Sequence, residues 1–159
     1  MASIYLIRHG QASFGAANYD QLSALGQRQA DVTGQYLQAI GLSIDAAYSG
    51  SLSRQQETAH RVMAGLDFQG KIETDERFNE INNDEQVKAL LPKLTAQDES
   101  LADKASRGMK SSKDYQKIIA AVFNAWVDPD CEASDITLWS SYRDGVRDAI
   151  ANIIRSVGS

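Results

Sequence analysis

With 159 residues, 43% of them hydrophobic, the chain is long enough to bury one core, and two prolines and 11 glycines argue against disordered or collagen-like classes. A net charge of −5 with no basic block argues against nucleic acid or an anionic membrane as partner, since either needs a positive footprint. The lone Cys131 can close no internal disulfide and has no zinc-ligand spacing, and no apolar stretch reaches the length of a membrane span, so a soluble, cytoplasmic domain is expected.

The apolar, β-prone run Ile4-Tyr5-Leu6-Ile7 reads as a buried strand over residues 3–7, ending at Arg8-His9-Gly10. A loop of small and polar residues follows to about Asp20. Leu22, Leu25, Val32, Tyr36, Leu37 and Ile40 then recur near helical spacing, with Gly41 as the stop. "SIDAAYSG" reads as a second strand ending near Ser49. The next helix takes Ala59, Val62, Met63 and Leu66 as its inner stripe and Ser53 as its N-cap. "KIETDERF" is a third strand. This alternation predicts an α/β fold whose mainly parallel sheet is flanked by helices.

From Asp84 onward the pattern turns helical, over 84–91, around 95–107 and over 115–126. Tyr115, Ile118, Ile119, Val122, Phe123 and Trp126 form a broad apolar face in the third of these, expected to be core. "VDPDCEASD" and "ITLW" lead into a last helix, with Tyr142, Val146, Ala149, Ile150, Ile153, Ile154 and Val157 on one face up to Gly158. The whole, 1–159, reads as one domain with a helical insertion at about 84–127 covering the cleft.

Three features meet if the strands are parallel, because each follows a strand at the sheet edge where α/β folds place ligands. They are Arg8-His9-Gly10, Arg54 at the loop-to-helix junction of "YSGSLSRQQETA", and Glu80 in "RFNEI". Arginine grips phosphoryl oxygens through paired hydrogen bonds, and a helix N-terminus adds N–H donors. A neutral imidazole can attack phosphorus, and a carboxylic acid can protonate the leaving oxygen. Gly10 would let a phosphate approach the backbone. Glu76 and Asp75 compete with Glu80 for the acid's role. His60 lies off the inner stripe of its helix and is expected to be exposed.

The chain resembles the histidine phosphatase superfamily, in its phosphoglycerate mutase-like branch. "LSALGQRQA" at 22–30 is similar to that family's Leu-Thr-x-x-Gly-x-x-Gln-Ala segment. "SGSLSRQQETA" is similar to Ser-Ser-Pro-Leu-x-Arg-Ala-x-x-Thr-Ala, with Arg54 and Thr58 in register, and "FNE" to Leu-x-Glu. The resemblance implies His9 as phosphate acceptor, Arg8 and Arg54 as phosphate ligands and Glu80 as proton donor. It further implies that Gln11, Ser13, Phe14 and Gly15 contribute to the substrate pocket, and that no metal or organic cofactor is needed.

The implied activity is hydrolysis of a small phosphate monoester through a phosphohistidine. Phosphoglycerate mutase-type transfer and an impaired phosphate-binding or interaction module are the alternatives. Three departures bear on this choice. Gly15 stands where the family often has asparagine, and Gly50-Ser51 replaces Ser-Pro, which should loosen that loop. The family's second catalytic histidine has no counterpart, since the only other histidine is His60. By resemblance, a strand after Val157 would run between those holding His9 and Ser49 and carry that histidine. The 159 residues are therefore expected to be a fragment, or to self-associate to complete the sheet, and to be weakly stable and weakly active alone.

Overall fold

The computed structural model describes residues 3–13, 20–107 and 112–157. They form α1 (Ala24–Ala39), β1 (Ala47–Ser49), α2 (Ser53–Gly65), β2 (Ile72–Thr74), α3 (Asn83–Gln97), α4 (Glu99–Ser106), α5 (Ser112–Trp126) and α6 (Trp139–Val157), with a 3-10 turn over Glu76–Phe78. The chain divides into two units, one of Met1–Glu80 with Asp148–Ser159 and one of Ile81–Arg147. No helix among the described residues is long and apolar enough to cross a membrane.

In the first unit β1 and β2 pair in parallel, with Ala47 opposite Ile72, Tyr48 opposite Glu73 and Ser49 opposite Thr74. Parallel neighbours cannot be joined by a tight turn, and α2 is the crossover between them. The fold is α/β, as the alternation predicts. The strand expected over residues 3–7 does not form. Ile4, Tyr5, Leu6 and Ile7 are 41–86% exposed and pair with no strand among the described residues. A β-prone run becomes a strand only against a ladder partner and a packed face, and here it has neither.

Helix α1 starts where Ser23 accepts the Gly26 N–H, and it ends at Gly41, whose φ of 71° is the left-handed geometry of a helix stop. The periodicity locates this helix but not its buried face. Leu25, Val32, Tyr36 and Ile40 are all more than half exposed, whereas Gly26, Ala30 and Gly34 are buried. The cause is a backbone-close crossing with α2. A Cβ on Gly34 would lie 2.5 Å from the Val62 carbonyl oxygen, so only small residues fit the packed side. Of the expected stripe, Leu22 is buried and Leu37 packs against the core.

That core is Ala30, Ala47, Val62 and Met63, with Leu37, Ile44, Leu66, Phe68 and Ile72 packed around it. The expected inner side of α2 holds at Val62 and Met63. Its expected cap does not. Leu52 is the N-cap and offers no side-chain acceptor, while Ser53 is already helical. Asp20 fills the gap, its Oδ2 accepting the Ser53 N–H at 2.8 Å.

The second unit is built on helices. Ile118, Val122 and Trp126 of α5 repeat every four residues and are essentially fully buried, together with Leu90 of α3 and Leu101 of α4. Tyr115, expected on the same face, is 42% exposed. Trp126 meets Trp139 edge-on at 5.4 Å between ring centroids, and its Nε1–H donates to the Thr137 carbonyl at 2.9 Å. Cys131 is half-buried against this aromatic cluster.

Candidate active site

The His9-Gly10 turn is fastened to α2 by a single hydroxyl. Thr58 Oγ1 accepts the Gly10 N–H at 3.1 Å and donates to the Arg54 carbonyl at 2.7 Å. Gly10 is buried, and a Cβ there would sit 2.3 Å from the Gly26 carbonyl oxygen. The close approach of α1 therefore requires a glycine at this position.

His9 contacts two acceptors. Its Nδ1 lies 2.7 Å from the Gly10 carbonyl oxygen and its Nε2 lies 3.2 Å from Glu80 Oε2. A carbonyl can only accept, so the Nδ1 must carry the proton. Nε2 then donates to Glu80 while that carboxylate is ionised, and offers a lone pair only when the shared proton has left it. The same Glu80 oxygen accepts from Arg54 Nη2 at 2.9 Å, and Arg54 Nη1 donates to Asp20 Oδ1 at 2.7 Å. His9 and Arg54 are mostly covered, whereas Glu80 is about half exposed.

The charges are arranged accordingly. Burial alone would raise the Glu80 carboxyl, but hydrogen bonds from Arg54 and His9 hold it below its ordinary value of 4.5. Asp20 is likewise held below 3.8, with burial outweighed by the backbone N–H and hydroxyl of Ser53 and by Arg54. Burial works against the Arg54 cation, yet Glu80 and Asp20 together raise its pKa.

The loops carrying these groups are joined to each other. Asn79 Oδ1 accepts the Ser51 N–H at 2.6 Å and its Nδ2 donates to Ser51 Oγ at 2.8 Å. Gln55 Nε2 donates to the Phe78 carbonyl at 2.8 Å. The Gly50-Ser51 loop, expected to be loose, is thus held by the Asn79 amide through two hydrogen bonds, and a Cβ on Gly50 would meet Gln55 Oε1 at 2.1 Å.

Of the residues expected at the site, the structure joins His9, Arg54 and Glu80. The competitors of Glu80 are turned elsewhere: Asp75 pairs with Arg77, and Glu76 is exposed and makes no ion pair among the described residues. Arg8 is exposed and makes no hydrogen bond or ion pair among the described residues. The Gln11 side chain accepts from Ser23 Oγ at 2.9 Å, and the Ser13 backbone N–H donates to the Gln21 carbonyl at 2.8 Å. Phe14 and Gly15 lie outside the described residues. His60 is exposed, as expected.

Sequence reasoning missed Asp20 and Asn79 altogether. The signal for Asp20 was indirect: "GSLSRQ" supplies no capping side chain at Leu52, so a carboxylate from elsewhere had to serve.

The model of the histidine phosphatase superfamily (branch 1) matches residues 4–127. Curated relatives include the 2,3-bisphosphoglycerate-dependent phosphoglycerate mutases of Brucella ovis, Brucella canis and Brucella suis. Each is 35% identical over 86 residues, an alignment covering 49% of this chain and 41% of the relative. The chain thus spans about two-fifths of the length of the relatives it matches. Because the family model covers most of the chain and takes in the turn at His9, the helix at Arg54 and the loop at Glu80, the chain belongs to the histidine phosphatase superfamily.

Proposed function

We propose that this chain hydrolyses phosphate monoesters by way of a phosphoryl group carried on His9 Nε2. The observation that supports it most is the single Glu80 oxygen shared by His9 Nε2 and Arg54 Nη2. With Nδ1–H committed to the Gly10 carbonyl, one proton lies between Nε2 and Oε2. When Glu80 keeps it, Nε2 holds a free electron pair aimed into the site.

In the first step Nε2 bonds to phosphorus and the ester P–O bond breaks. The leaving oxygen takes the proton from the Glu80 carboxyl, and Arg54 holds the equatorial oxygens. In the second step water attacks phosphorus, the P–N bond breaks, and the Glu80 carboxylate takes the water's proton. In the resting site Glu80 is held ionised by Arg54. A phosphate dianion competing for that guanidinium removes the hydrogen bond and adds negative charge, and both raise Glu80 toward its acid form. Substrate binding thereby prepares the proton donor.

Transfer to a second phosphorylated substrate instead of water is the alternative favoured by the names of the three Brucella relatives, each a phosphoglycerate mutase. Phosphate release from nitrophenyl phosphate and interconversion of phosphoglycerates, each measured beside a His9→Ala control, separate the two. Hydrolysis predicts release of phosphate that depends on His9. Interconversion without release would favour the mutase, and the absence of both would leave an anion-binding module.

A further inference from the structure

We propose that Asp20 is a positioning residue, holding Arg54 in the orientation in which its Nη2 meets the reacting phosphoryl group. This rests on the phosphatase reading and extends it to a residue whose carboxylate is bonded to Ser53 and Arg54.

Arg54 is the second residue of α2, where a cation is disfavoured because the first-turn N–H groups already concentrate positive charge. It is also the most buried charged side chain of the site, with 10% of its surface exposed. A buried guanidinium in that position needs compensation from outside its own helix, and Leu52 at the N-cap provides none. Asp20 provides it twice. Oδ2 accepts the Ser53 N–H at 2.8 Å, and Oδ1 accepts Arg54 Nη1 at 2.7 Å.

One carboxylate therefore fixes the helix start and the guanidinium relative to each other. The planar fork transmits the constraint. Once Nη1 is held on Asp20, rotation about the terminal torsion is blocked and Nη2 points at Glu80 Oε2, 2.9 Å away. Asp20 thus takes the Nη1 side of the fork and Glu80 the Nη2 side. Phosphoryl transfer depends on positioning more than on covalent chemistry, so a freed guanidinium should cost rate and not merely affinity.

Asp20→Asn is close in size but has one oxygen where two are used, so it can keep the Ser53 cap or the guanidinium, not both. The variant should lower kcat on nitrophenyl phosphate on the order of 10- to 10²-fold, with KM changed by less than about threefold. Asp20→Glu, which restores the second oxygen, should recover much of the loss. In an Arg54→Lys background, Asp20→Asn should cost almost nothing further, because its effect acts through the fork that lysine lacks.

Wild-type kcat in Asp20→Asn would overturn the proposal, as would an equal loss in both backgrounds. Tighter orthovanadate binding by Asp20→Asn would also overturn it, since Asp20 would then be a competitor for the phosphate position. If Asp20→Asn does not fold, Asp20→Glu decides alone: kcat near wild type supports the role, and a loss as deep as that of Arg54→Ala opposes it. Wild-type protein that neither releases phosphate nor binds orthovanadate would overturn the phosphatase reading and this role with it. Wild-type turnover with an unaffected Asp20→Asn overturns this role only.

Discussion

His9 shows how much chemistry two hydrogen bonds can determine. The Gly10 carbonyl fixes one nitrogen as donor, and the Glu80 oxygen leaves the other sharing a single proton. Replacing His9 with alanine should abolish phosphate release. His60→Ala should leave release unchanged, because His60 is exposed on α2 and its Nδ1 is spent on the Gln56 carbonyl. Assay of both purified variants checks this. Glu80→Gln keeps the shape but cannot donate a carboxylic proton. It should slow alkyl phosphates on the order of 10²-fold and nitrophenyl phosphate far less, because an activated leaving group needs little protonation. Equal losses on the two substrates would make Glu80 a structural group.

The helices show which signals local sequence carries and which it does not. Apolar periodicity was enough to place α1, α2 and α5, and Gly41 marked the end of α1. The inner face of α1 was not legible that way. It is set by small residues at a crossing with α2, so the larger apolar side chains fall outside. Gly26→Ala tests this contact. Its Cβ would lie 2.2 Å from the Gln11 carbonyl oxygen, so the His9 turn must shift, at a cost of about 1–3 kcal/mol, visible as a lower melting temperature.

His9, Arg54 and Glu80 were legible because each follows an apolar run in a familiar pattern. Asp20 was not, since it caps a helix that begins 33 residues further on and no local rule links the two. Its carboxyl and that of Glu80 are both depressed in the folded state. Their contribution to stability is therefore fully present above their ordinary values of 3.8 and 4.5 and is lost as pH falls through their lower folded values. Thermal melts should show Asp20→Asn less stable than wild type at neutral pH, with the gap closing in acid. A gap that widened in acid would contradict the sign.

At the scale of the whole molecule, the two units carry separate cores, one around Val62 and one around Trp126. The first unit leaves much apolar surface uncovered. Leu6 is 86% exposed, and Leu25, Val32, Tyr36 and Ile40 are each more than half exposed. The run at residues 4–7 was legible as apolar and β-prone, but a strand is a property of a pair, and its partner cannot be read from the run itself. Such surface predicts association that grows with concentration. Light scattering across a concentration series should show a rising mean mass, reduced by Leu6→Lys. A constant monomer mass would contradict this.

The central claim is that the phosphoryl group passes through His9 Nε2. Brief reaction of the intact protein with a labelled phosphate ester, quenched in base and followed by peptide mapping, tests it most directly. The account predicts label on the peptide containing His9, stable in base, lost in acid and absent from His9→Ala. Turnover with no label on that peptide, or label that persists in His9→Ala, would contradict it.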